Sequence, residues 1–194
     1  MARQIAYDTA KLTQDITTLF WAKGYSDTSL ADLEGATGLN RRQLYNGVGD
    51  KLDMFLHALD TFIELSVQTL LGPLEGPEAS VADIRNLFDE FLVRSQQPDG
   101  PAGCLICSTS QDEIAAEAQV AKRMDAFFER IKAALHNALT RAATRKEIAL
   151  DAQGIEQRAA ALFGAHVTLC ILGRAGRPKE ELTLIASEAL KDLV

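Results

Sequence analysis

The 194 residues are 47% apolar, with five prolines and a formal net charge of −7. The chain can therefore bury a sizeable core, and no strand-like alternation of β-branched residues persists anywhere, which leaves an all-α protein. Three cysteines are too few for a disulfide scaffold, and the longest apolar stretch, 159–173, contains His166 and Thr168 and falls short of the ~20 residues a bilayer helix needs.

The start, Met1-Ala2-Arg3-Gln4-Ile5, lacks the apolar core of a signal peptide, so a cytoplasmic protein is expected. Charge is unevenly placed. Residues 1–51 hold six basic and six acidic groups, and residues 52–194 hold 14 and 21. A neutral head on an acidic body can still present a local basic face.

In chain order, the first predicted helix runs from about Tyr7 to Lys23, with Leu12, Ile16, Leu19 and Phe20 on one stripe and Gly24 as its stop. Ser29-Leu30-Ala31-Asp32 is a capping box that opens a short second helix ending at Gly38. Asn40 can cap a third, Arg41 to about Gly47. A long fourth begins near Asp50, carries Leu52, Phe55, Leu59, Phe62, Ile63 and Leu70, and should end at Gly72-Pro73. Five more follow. One lies near Ala79–Gln96, and a turn at 97–101 separates it from another at about Gly103–Asp112. A long helix, about Ile114–Ala143, has Val120, Met124, Phe127, Ile131, Leu135 and Leu139 on one stripe; then come about Ala152–Ala175 and a last one starting at Pro178. The expectation is about nine helices in two units: a three-helix head at residues 1–50 and a larger ligand-binding and dimerisation body at residues 51–194.

Residues 19–51 carry the strongest signal. Two short helices meet at Thr37-Gly38-Leu39, where Gly38 supplies the left-handed residue that a sharp helix-turn-helix needs. Leu33, Leu39 and Leu44 fall where the helices must pack together. The third helix then offers Arg41, Arg42 and Gln43 from its first turn and Asn46 one turn on. Arg reads guanine O6 and N7, and Gln or Asn reads adenine N6 and N7, from the first turn of a recognition helix. Ser29, Tyr45 and Lys51 suit phosphate contacts. The competing reading of this stretch is a set of ordinary solvated helix residues and a cap. Glu34 is unusual, because helix-turn-helix pairs favour a small residue there; a buried, unpartnered carboxylate is costly, so Glu34 is expected at an edge.

The stretch resembles the head of the TetR family of transcriptional regulators, through LF..KGY, TSL..L, TGL, LY and a closing DK, with Val48 in place of the more frequent Phe. The resemblance implies a homodimeric repressor that binds a palindromic double-stranded operator and is released by a small-molecule effector. It places DNA contacts at Thr28, Ser29, Arg41, Arg42, Gln43, Tyr45, Asn46 and Lys51. It also implies dimerisation through the last two long helices. Leu162, Phe163, Leu169, Leu182 and Ile185 are the expected interface residues, alongside a small-residue surface at Ala159, Ala160, Ala161, Gly164 and Ala165. Burial in the protomer's own core competes for the same side chains.

Cys104 and Cys107 follow the turn at 97–101. Cys104 should lie at a helix N-terminus, which lowers a thiol pKa and raises its reactivity. The segment GCLICSTSQDE is similar to one in a TetR subgroup whose members sense electrophiles or oxidants, so Cys104 and Cys107 are candidate effector-sensing residues; small buried hydrophobes are the alternative. Cys104 and Cys107, with His166 and Cys170 at i, i+4, would offer four tetrahedral ligands only if their helices met. Nothing in the sequence says that they do, so no metal and no cofactor is expected.

Catalytic motifs (a P-loop, GxGxxG, GxSxG, HExxH) are missing from the sequence, and no enzyme is expected. The alternatives are a helical-bundle interaction protein without DNA binding and a cysteine-based redox protein.

Overall fold

The computed structural model describes residues 8–95, 103–191 and 193. Among these there are helices and turns and no strand. The elements are α1 (Thr9–Lys23), α2 (Leu30–Thr37), α3 (Arg41–Gly47), a long α4 that begins at Lys51, α5 (Val81–Arg94), α6 (Leu105–Thr109), α7 (Ala118–Thr144), α8 (Ala152–Arg174) and α9 (Lys179–Leu190).

Capping sets most of the boundaries. Asp8 accepts from the amides of Ala10 and Lys11 and starts α1. Ser29 with Asp32, Asn40 with Gln43, Asp50 with Asp53 and Ser80 with Asp83 form four reciprocal capping boxes at the starts of α2, α3, α4 and α5. The expected turn at 97–101 and the start at Tyr7 lie outside the described residues.

α6, Leu105–Thr109, is half the length expected from 103–112, and two further boundaries differ from expectation. Gly72-Pro73 does not end α4. The helix Lys51–Ser66 widens into a π turn at Val67–Leu71 and continues as Gly72–Glu75. Gly72 N–H bonds the Val67 carbonyl, five residues back, and the proline falls in the first turn of the new segment, where its missing N–H costs least. The second difference lies before α7. Ile114 belongs to a separate 3-10 turn, Glu113–Ala116, and α7 starts only at Ala118, capped by Glu117.

The head is α1, α2 and α3 folded against the start of α4. Phe20 and Phe55 meet edge to face with ring centroids 5.0 Å apart, and Tyr25 lies 5.0 Å from Phe55. In the body, Val120, Met124, Phe127, Ile131, Leu135 and Leu139 are all buried, as their spacing predicts. α7 packs along α8, α8 along α9, and α4 and α5 against α7, so one apolar core runs from the head into the body.

Candidate nucleic-acid interface and thiol-lined cavity

The turn between α2 and α3 has the geometry a helix-turn-helix requires. Gly38 has φ 69° and ψ 9°, and its N–H closes α2 on the Glu34 carbonyl. Leu33 and Leu44 are fully buried between the helices, with Leu39 packed beside them. Leu44 is the buried residue of α3; Arg41, Arg42, Gln43, Tyr45 and Asn46 are all exposed. The helix is thus held by a leucine on its inner face and by its cap, and its polar side chains point outward.

Glu34 is half-buried at the edge of this pair and has a partner. Its carboxylate accepts the Arg41 N–H at 2.6 Å. The residue that looked out of place by size therefore satisfies one of the free amides at the start of α3 and ties α2 to it.

The other expected contact residues divide. Ser29 is exposed, and its hydroxyl is engaged in the α2 cap with Asp32. Gln43 is exposed, with its side-chain carbonyl accepting from the Asn40 amide. Lys51 holds its ammonium 4.2 Å from the centre of the Tyr25 ring, a cation–π contact that fixes the charge at the start of α4. Thr28 requires a correction. It is 1% exposed, and its hydroxyl donates to the Gly24 carbonyl at 2.6 Å, so it stabilises the turn after α1 and presents nothing outward.

Head and body are joined by two polar links. Asp112, just beyond α6, accepts from the Ser26 amide at 3.0 Å and from its hydroxyl at 2.7 Å. Burial raises the Asp112 pKa, but those bonds, together with the Ile114 amide and the charge on Lys51, hold it below the ordinary carboxylate value. Arg174, at the end of α8, donates to the carbonyls of Trp21 at 2.6 Å and Ala22 at 3.1 Å. It satisfies carbonyls in the last turn of α1, where a cation is also favoured by the helix dipole.

Beside these links the body and α1 together form a partly open cavity of about 360 Å³. Trp21, Phe62, Leu71, Phe91 and Phe127 make most of its apolar wall, and Cys104, His166 and Cys170 lie on the same wall. The size and lining suit a small organic ligand. The Trp21 indole N–H and His166 Nδ1 are buried without a hydrogen-bond partner among the described residues, so the cavity carries uncommitted polar atoms.

Cys104 is the N-cap of α6, and Cys107 lies within that helix. Both are buried, and Cys170 on α8 joins them, the three Sγ atoms lying within 4.8 Å of one another. Gly103 makes the approach feasible. Its φ is 78°, and a Cβ there would lie 2.6 Å from the Cys170 carbonyl oxygen. Burial resists ionisation of Cys104, yet the neighbouring Cys107 and Cys170 thiols donate to its sulfur and hold its pKa well below the ordinary thiol value. Cys107 is pushed the other way, first by its bond to Cys104, and Cys170 likewise. Burial lowers the pKa of His166. The pull on Cys104 therefore comes from the neighbouring thiols, where the expectation rests on a helix N-terminus. Cys170 as its close partner could not be inferred from spacing alone.

Three of the five expected dimer residues also need correction. Leu162, Leu169 and Leu182 are 1%, 0% and 1% exposed in the protomer and belong to its own core. Phe163 packs on Phe128 of α7, with ring centroids 5.8 Å apart, and Ile185 is half-buried. The outward faces of α8 and α9 carry Ala160, Ala161, Gly164, Thr168, Ile171 and Leu184 instead, with Leu184 at 69% exposure. A helix apolar nearly all round divides its residues between two partners, and period alone does not say which face is which.

A three-helix head with an outward third helix, set on a helical body with a ligand-sized cavity beside their junction, defines a one-component regulator of the helix-turn-helix type. Residues 80–183 match the family described as the tetracyclin repressor-like C-terminal domain, and the chain belongs to the TetR family of transcriptional regulators. It is 25% identical over 182 residues to the uncharacterized HTH-type transcriptional regulator YezE of Bacillus subtilis, covering 94% of each chain. It is 33% identical over 116 residues to the HTH-type transcriptional repressor ComR of Escherichia coli, covering 58% of this chain and 55% of that one. The fold is similar to that of the TetR family regulator CifR, a cysteine mutant complexed with 26 bp double-strand operator DNA, with TM-score 0.86, 22% identity and 98% of each chain covered. No helix among the described residues is long and apolar enough to cross a membrane.

Proposed function

We propose that this chain is a cytoplasmic homodimeric repressor that inserts α3 into the major groove of a palindromic operator and lets go when an effector reaches the body. Residues 1–50 form the DNA-binding unit and residues 51–194 the effector-binding and dimerisation unit. Arg41, Arg42, Gln43 and Asn46 read base edges, while Ser29, Tyr45 and Lys51 meet phosphates. The reading is carried by one observation: the exposed polar face of α3, anchored from behind by Leu44. The structural relative bound to operator DNA lends it support.

The effector is a small apolar molecule, or one that reacts with thiols, held in the cavity beside Cys104 and Cys107. Occupancy can favour release only by stabilising the conformation whose heads are wrongly spaced. Asp112 and Arg174 are the contacts through which α6 and α8 would move the turn after α1. We assign the thiols a sensing role and no catalysis.

A gel shift on the promoter region beside the protein's own gene tests this. A discrete retarded complex that survives excess nonspecific DNA is the expected result. Binding that nonspecific DNA competes away at equal concentration would defeat it.

A further inference from the structure

The thiol cluster offers more than a target for a reactive effector. Cys104 and Cys107 approach from α6 and Cys170 from α8, and their Sγ atoms all lie within 4.8 Å of one another. Three sulfurs sharing one ion at metal–sulfur distances of ~2.3 Å would stand roughly 4 Å apart. Ligation therefore asks for side-chain adjustment and no rearrangement of helices.

His166 supplies an independent pointer. It lies one turn before Cys170, and its Nε2 is 3.7 Å from the Cys170 sulfur. The imidazole is only 7% exposed, its Nδ1 has no hydrogen-bond partner among the described residues, and the rings of Phe88 and Phe91 hold it edge-on. A buried imidazole this poorly satisfied is unusual in an apolar wall. The nitrogen turned towards the Cys170 sulfur is Nε2, and that is the atom placed to donate to an ion held by the sulfurs.

We propose that Cys104, Cys107 and Cys170, with His166 as fourth donor, bind one closed-shell thiophilic cation, Zn²⁺ or Cu⁺. Thiolate-rich sites with one imidazole select such ions over hard cations. Each ligating thiol loses its proton, which leaves through the cavity that Cys104, His166 and Cys170 line; no electron is transferred. The same cavity is the route of entry. The sequence reading expected no metal because nothing in it said that the two helices met, and in the fold they do.

The site also lies at the root of both links to the head. α6 leads to Asp112 and so to Ser26, and α8 leads to Arg174 and so to the last carbonyls of α1. An ion that ties α6 to α8 where they already meet stiffens the root of both links. As a signal this rests on the repressor reading; as a binding site it does not.

The test uses the full chain, reduced and freed of metal with a chelator. Zn²⁺ is titrated against a colorimetric chelator, and Cu⁺ is titrated under anaerobic conditions against a Cu⁺ chelator, so that the arms distinguish the two ions. Cd²⁺ then reports thiolate ligation through its ultraviolet charge-transfer band. A single ion per chain is expected, with a band intensity corresponding to three thiolates and with binding lost in Cys104→Ser and Cys170→Ser. His166→Gln should retain the band but bind more weakly. No uptake of either ion by the wild-type chain, or uptake unchanged in both serine variants, would overturn the site. The wild-type titration decides even if a variant fails to fold. Operator binding is followed in parallel. Tight metal binding by a chain that never binds its promoter leaves the site standing and defeats the repressor reading. Promoter binding indifferent to the bound ion overturns the signalling half.

Discussion

Arg42 and Lys51 are both cations of the head, but their surroundings give them different work. Arg42 is exposed on the first turn of α3, free to place a planar fork of donors against a base edge. Lys51 is held over the Tyr25 ring at the start of α4, a fixed point charge beside the groove. Arg42→Ala should cost about 1–3 kcal/mol of specific binding and relax preference at one base position, whereas Lys51→Ala should weaken all sequences alike and lower the salt slope by about 1. Fluorescence anisotropy on operator and scrambled duplexes at several salt concentrations separates them. An unchanged base preference in Arg42→Ala would remove it from the reading set. Glu34→Ala tests the cap. Leaving the Arg41 amide without its acceptor should cost about 0.5–2 kcal/mol of stability, measured by urea denaturation. An unaltered midpoint would mean that the bond contributes nothing.

At the scale of elements, the junction between body and head depends on a few short contacts. Gly103 is one. With φ at 78° and the Cys170 carbonyl 2.6 Å from where a Cβ would stand, Gly103→Ala should destabilise by about 1–3 kcal/mol and pull α6 away from α8. A thermal melt with wild-type midpoint would refute that close approach. Asp112 is another. Its carboxyl pKa is depressed in the fold, so its contribution is present above the ordinary carboxylate range and is lost as pH falls through the depressed value. Asp112→Asn and Arg174→Ala should each leave the protein folded yet reduce the effector's ability to release DNA, read as a smaller shift in operator affinity on effector addition. Full release in both variants would place the transmission elsewhere. Element boundaries also show what a sequence conveys. Capping residues and hydrophobic stripes mark the helices of the head almost to the residue, because those signals are local. The passage of α4 through Gly72-Pro73 was not legible, since a π turn that absorbs a proline depends on packing around it. Nor was Thr28, whose hydroxyl is claimed by a carbonyl four residues earlier.

For the whole molecule, the dimer decides whether two recognition helices can act together. The outward face of α8 carries the small residues Ala160, Ala161 and Gly164, and Gly164 has open space where a Cβ would go. Gly164→Glu therefore disturbs nothing inside the protomer but sets a charge against a partner. The expected result is a folded monomer by sedimentation with operator binding lost. A dimer of wild-type affinity would move the interface to another face. The thiol cluster belongs to this scale as well. C-x-x-C and His-x-x-x-Cys were visible as separate spacings, but their meeting is a tertiary fact set by the α6–α8 contact.

Hydroxyl-radical footprinting of the wild-type protein on its own promoter tests the central claim most directly. Two protected patches related by a dyad, with centres one helical turn or a whole number of turns of ~34 Å apart, are what an outward α3 on each of two protomers predicts. A single patch, or protection without two-fold symmetry, would contradict it.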